Sequence, residues 1–140
     1  YILHNKGREL VLLREEIDFL NDYFSLLKIR FENGVQLKIN IDTSLFEQFL
    51  IPPISLQLLA ENAIKHNEFS DETPLALTIH FHNNTLIVQN SIRKKVLRKE
   101  SSKIGLNNLK ERYRLVSGKE ITTEENENGF TVSLPLLQIT

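Results

Sequence analysis

Residues 51–67, IPPISLQLLAENAIKHN, constrain the chain more than any other stretch, because they ask for one helix with two unlike faces. Pro52 and Pro53 suit a helix start, where a missing N–H is no loss. A step of about 100° per residue puts Leu56, Leu59, Ala60, Ala63 and Ile64 on one core-facing stripe. Gln57, Glu61, Asn62, Lys65 and His66 take the opposite arc. Glu61 and Asn62 are adjacent, and Asn62 and His66 are four apart, so these side chains can converge on one ligand. Glu61 and Lys65 equally have the i,i+4 spacing of the ion pair found on many solvated helices, so spacing alone leaves a ligand site and an ordinary polar face both open.

A second pattern precedes it. Leu10, Leu13, Ile17, Leu20, Phe24, Leu27 and Phe31 are spaced alternately three and four apart, which predicts a long helix over 8–32 with the apolar seam of a coiled coil or bundle. Leu12, Phe19 and Leu26 repeat every seven on another side. Two stripes predict cover from two directions, a helical partner on one and the following domain on the other. A single long core helix of a monomer fits the same spacing.

Glu32-Asn33-Gly34 carries turn chemistry, and 35–41 alternate as a half-buried strand. Asp42-Thr43-Ser44 can cap a short helix over 45–49. Residues 75–81 and 85–89 alternate around His82-Asn83-Asn84, the mark of a β-hairpin. His80 and His82 would share one face of that strand, without the spacing of a metal motif. Residues 90–103 lack an apolar period and read as a loop. A helix over 104–116 has Leu106, Leu109, Tyr113 and Val116 on one face and stops at Ser117-Gly118. Residues 119–124 and 129–136 form a closing hairpin, with Pro135 near its end, where a missing N–H is tolerable. The order predicts an α/β two-layer sandwich: a mixed, mostly antiparallel sheet with helices on one face, plus the long N-terminal helix. The expected division falls between 33 and 34, with the long helix in 1–33 and the sheet-bearing domain in 34–140.

Composition narrows the function. With no cysteine among 140 residues, disulfides and thiolate catalysis are excluded. A formal net charge of −1 gives no electrostatic case for a nucleic-acid partner. The densest basic run, Arg93, Lys94, Lys95, Arg98 and Lys99, is either a solvated loop or an attractor of phosphate. No apolar run approaches the ~18 residues of a membrane span. The chain opens on Tyr and contains no Met, the expected mark of a segment of a longer protein.

Residues 56–67, LQLLAENAIKHN, resemble the N box of LytS-like sensor histidine kinases, which reads close to LVENAIKHG. Ile51-Pro52-Pro53, and the tract from Glu16 through Tyr23 to Arg30-Phe31, are similar to that family's approach to the box. Ile104-Gly105-Leu106-Asn107-Asn108-Leu109, with Arg112, resembles its glycine box, GIGLxNxxxR. The resemblance implies the C-terminal ATP-binding (HATPase) domain of such a kinase, with the Bergerat fold of the GHKL ATPases, binding ATP with magnesium. On it, Asn62 is the magnesium ligand and Glu61 orients or polarises the attacking group. Lys65, His66 and Asn67 belong to the nucleotide-binding set. Gly105 lets the backbone close on the phosphates at the start of its helix, with Leu106 and Asn108 behind it. The chain departs from the family where an adenine-reading DxGxG is expected: Asn90-Ser91-Ile92-Arg93-Lys94 stands there, leaving Asn90 to accept through an uncharged amide oxygen. Lys103 replaces the first glycine of the second box. His4, in YILHNKG, does not match the phosphoacceptor motif, so the acceptor His is expected outside this chain.

The implied function is phosphoryl transfer from ATP to that His and on to a response regulator. The implied parent is a bacterial homodimer paired through its N-terminal helix, anchored in the inner membrane only by segments upstream, with this domain on the cytoplasmic side. A degenerate kinase-like module kept for docking or regulation is the alternative. A hydrolytic ATPase of the same superfamily is a third reading.

Overall fold

Asn83 and Asn84 both have positive φ, 50° and 58°, which makes the two-residue turn whose twist matches paired strands. It joins β5 (Leu75–His82) to β6 (Thr85–Ser91), with Ile79 opposite Val88. The computed structural model describes residues 2–5, 8–91, 100–127 and 129–139, with side chains described over 9–91 and from 105 onward. Around the hairpin stands a five-stranded sheet. β3 (Val35–Asn40) lies parallel to β5, β8 (Gly129–Pro135) antiparallel to β6, and β7 (Thr122–Glu125) on the outer edge.

Period-two alternation sorts the two faces. Val35, Leu77, Ile79, Leu86, Val88, Val132 and Leu134 share one face and are buried. α1 (Leu13–Phe31), α2 (Ser55–His66) and α3 (Glu100–Ser117) cover that face. Leu13, Ile17, Leu20, Phe24, Leu56, Leu59, Leu109 and Tyr113 join the same core. Lys38, Thr78, Gln89 and Thr131 point the other way. The expected two-layer sandwich, helices on one face of a mixed, mostly antiparallel sheet, is what forms.

The N-terminal expectation needs correcting. Residues 8–12 are a strand, β2 (Arg8–Leu12), not the first turn of a helix. It pairs with β1 (Ile2–Asn5) and with β4 (Phe49–Ile51), and β9 (Leu137–Gln138) completes a second, antiparallel sheet. Leu10 satisfied the heptad spacing, but pairing of Val11 with Ile51 and Leu12 with Leu50 takes the segment into this sheet. The seam running through α1 is the stripe that faces the domain, with Leu13, Ile17, Leu20 and Phe24 in the shared core. The other stripe stays bare: Phe19 is 45% exposed and Leu26 67%.

Three boundaries also move. Asp42 caps as expected, its carboxylate accepting from the Ser44 N–H at 3.0 Å, but the turn it starts is a single 3₁₀ turn over Thr43–Leu45. The helix expected over 45–49 gives way to β4. α2 starts at Ser55 because 49–51 are committed to the sheet and Pro52-Pro53 turn the chain out of it. α3 begins at Glu100, four residues before the apolar period does. The rest of the expected loop, 92–99, lies outside the described residues.

Candidate functional site

The site is built from the start of α2. Ile54 precedes the helix in a left-handed conformation, φ 70°, and has no side chain able to cap it. The missing acceptor comes from α1. Glu16, only 8% exposed, accepts from the Ile54 N–H at 2.8 Å and the Leu56 N–H at 3.1 Å. From α3, the Arg112 guanidinium donates to the Pro53 carbonyl at 2.6 Å, and Ser55 Oγ donates to the Pro52 carbonyl at 2.7 Å. Burial pushes the Glu16 carboxyl above its ordinary pKa, against the lowering effect of its two N–H donors and the Arg112 charge. Arg112 is lowered by its own burial, opposed by Glu16. Buried Tyr113 donates to the Pro135 carbonyl at 2.5 Å, and its hydroxyl is raised first by burial and then by the Glu16 charge.

From that fixed start α2 runs forward along a cleft of about 160 Å³. Leu58, Leu59, Glu61, Asn62, Lys65 and His66 form one wall, and Gly105, Leu106 and Leu109 of α3 the other. Glu61 accepts from Gln57 Nε2 at 2.9 Å and, among the described residues, makes no ion pair with Lys65. Tyr23 of α1 stands near Glu61: its hydroxyl is raised by burial and further by the Glu61 charge. The Asn62 amide is half-buried and engages no partner among the described residues. An uncommitted amide beside a held carboxylate, an ammonium and an imidazole is a donor set that suits an anionic ligand carrying a cation.

Of the residues singled out in the sequence, Glu61, Asn62, Lys65, His66, Gly105 and Leu106 meet in this cleft; Asn67, Asn90 and Asn108 do not line it. Asn67 is buried and donates to the Ala63 carbonyl at 3.0 Å, closing the end of α2. Asn108 is exposed on α3. Asn90 sits on the helix-facing side of β6, in register with Leu77 and Phe130, and its amide donates to the Ser91 carbonyl at 2.8 Å. The backbone there is tight: a Cβ on Gly129 would stand 2.9 Å from the Asn90 carbonyl oxygen. Ile92, Arg93 and Lys94 lie outside the described residues, as does the Lys103 side chain. Gly105 is not at a helix start. It is five residues into α3, so its N–H is committed to the helix ladder, and what it adds to the cleft is the absence of a side chain.

Sequence reasoning missed the roles of Glu16 and Arg112. Both stood inside stretches that resembled the family, but their partners are backbone groups far along the chain, which no local pattern reveals.

No family model matches the chain. It is 46% identical over 57 residues to sensor protein LytS of Bacillus subtilis, a match covering 41% of this chain and 9% of that protein. To sensor histidine kinase BtsS of Escherichia coli it is 43% identical over 58 residues, covering 41% and 10%. The chain thus spans about a tenth of these relatives. Among solved structures, the catalytic domain of histidine kinase ThkA superposes with a TM-score of 0.59 at 17% identity, covering 90% of this chain and 94% of that one, a likeness of fold.

Proposed function

The chain is related to the LytS-like sensor histidine kinases and folds as a histidine kinase catalytic domain; from that premise we propose that it binds ATP with magnesium and serves as the phosphoryl-donating portion of such a kinase. The observation that carries this is the Asn62 amide, which lines a cleft between α2 and the glycine of α3 and has no partner among the described residues. Among the described residues no three His, Cys, Asp or Glu side chains gather into a metal-binding group. A magnesium ion here would be held by one protein oxygen, with phosphate oxygens and water completing its shell, which is how this ion is commonly bound. When bound, magnesium neutralises charge on the phosphates.

The chain's own residues then position and compensate. Lys65 and His66 flank the phosphate end of the cleft. Glu61, held by Gln57, is placed to orient the attacking imidazole, and Asn90 reads the base from the end of β6. At about 160 Å³ the cleft is below the usual ~300–1,000 Å³ of a small-molecule pocket, so the phosphates sit within it and the nucleoside extends toward β6. The phosphoacceptor His and the response regulator belong to other segments or chains, as does pairing into a homodimer. The parent is a membrane sensor with this domain on the cytoplasmic side; among the described residues no helix is long and apolar enough to cross a membrane.

Asn90 favours a second reading. Its amide already serves the Ser91 carbonyl, and it lacks the charge of the Asp found in the family, as a docking module without turnover would allow. Calorimetric titration with a non-hydrolysable ATP analogue, with and without magnesium, separates the two. Magnesium-dependent binding that Asn62→Ala removes supports the kinase. A folded chain that takes up no analogue at millimolar concentration supports the docking module.

A further inference from the structure

We propose that Glu16 and Arg112 are positioning residues for the cleft: from two different helices they lock the start of α2 and so set where Glu61 and Asn62 stand relative to Gly105. The inference rests on the nucleotide reading above and adds to it two residues that line no part of the site.

Four backbone groups, on Pro52, Pro53, Ile54 and Leu56, are held by side chains. Arg112 takes the Pro53 carbonyl, Glu16 the N–H groups of Ile54 and Leu56, and Ser55 the Pro52 carbonyl. A left-handed conformation is one that a β-branched residue such as Ile54 rarely adopts unaided, so it persists because the surroundings over-determine it. Helix-forming pressure on its own would let 52–54 relax and α2 rotate or slide.

The lever arms run from this joint. Along α2, Asn62 is six residues beyond Leu56, about 9 Å at the helical rise. Along α3, Gly105 is seven residues before Arg112, about 10 Å in the same terms. Both walls of the cleft therefore spring from one fastening, α2 forward from it and α3 backward, and a small rotation at 53–56 opens or closes the far end. Glu16 is also the link between them. One carboxylate caps α2 while facing the guanidinium that α3 lays on Pro53. Arg112, Tyr113 and its neighbour Glu15 are the charged or titratable groups that act on it.

The test uses the 140-residue chain with Glu16→Ala, Glu16→Gln, Arg112→Ala and Arg112→Lys, each studied at a temperature where it is folded. Two readouts are taken: the NMR resonances of the Gly105 amide and the Asn62 side-chain amide without ligand, and the affinity for a magnesium–ATP analogue. The alanine variants are expected to shift both resonances and weaken binding about tenfold or more, since sites tolerate only sub-ångström misplacement, while Gln and Lys recover part of each effect. Folded alanine variants with wild-type cleft resonances and wild-type affinity overturn the proposal. If Glu16→Ala does not fold, Glu16→Gln and Arg112→Lys decide it: displaced cleft resonances support the joint, and unmoved ones refute it. Should the wild-type chain bind no nucleotide, the kinase reading fails, and the unliganded resonances still decide whether the joint governs the cleft.

Discussion

The two ends of α2 are opposite in character. The start is tied down by side chains from other helices: a buried carboxylate spans two N–H groups, a guanidinium takes a carbonyl, and a strained residue is held between them. Toward the other end Asn62 has no partner among the described residues and Lys65 is exposed, and both face a cleft. One helix thus serves as anchor and as site. The difference teaches that pre-organisation need not be visible where the ligand goes; it can be supplied two turns away.

Mutation of each end should sharpen the contrast. Glu16→Ala leaves two N–H groups without their acceptor and Arg112 without the charge it faces, and is expected to cost about 3 kcal/mol of unfolding free energy in urea titration. Asn62→Ala removes no hydrogen bond to the described residues and should stay within about 0.5 kcal/mol of wild type. Similar losses at both positions would break the comparison. At Ile54, glycine should outperform alanine by about 1 kcal/mol, the reverse of their helix ranking, because only glycine adopts the left-handed conformation without cost. Equal melting temperatures for Ile54→Gly and Ile54→Ala would mean the strain is not there.

The smallest effect is in pH. Glu16 is raised in the folded state, so the folded chain holds its proton more tightly than the unfolded one. Its contribution to stability is fully present below the ordinary glutamate pKa of about 4.3 and is lost as pH rises through the higher folded value. Wild type measured against Glu16→Gln should therefore lose relative stability with rising pH across that window and stay level above it. A difference that grows with pH would give the wrong sign for a buried carboxyl.

What the sequence disclosed was whatever is local. The hairpin around Asn83-Asn84, the two faces of α2 and the Leu106-Leu109-Tyr113 period each repeat within a few residues of themselves, and each formed as read. The second sheet was hidden because its strands are two to five residues long and because Leu10 fits a heptad as well as a strand. The cleft was legible on its α2 wall, where one helix carries the spacing. It was less so on α3, where the helix starts upstream of its apolar period and turns Gly105 from a helix-start donor into a missing side chain. Glu16 and Arg112 were letters in a pattern whose meaning lay in backbone atoms 38 to 59 positions away.

The parallel pairing of β3 with β5 carries a consequence for time rather than energy. The hairpin of β5 and β6 closes over two residues, but β3 meets β5 only after residues 41–74 have looped back, and α2 lies inside that loop. Closing long connections is slow because chain entropy is lost before any contact rewards it. The helix that bears Glu61 and Asn62 is therefore expected to be fixed late, by the same event that joins the first strand of the sheet to the rest. Pulsed hydrogen exchange of the α2 amides against those of β5 and β6 would test that order. A chain stalled short of that event would have its central hairpin and no site at all.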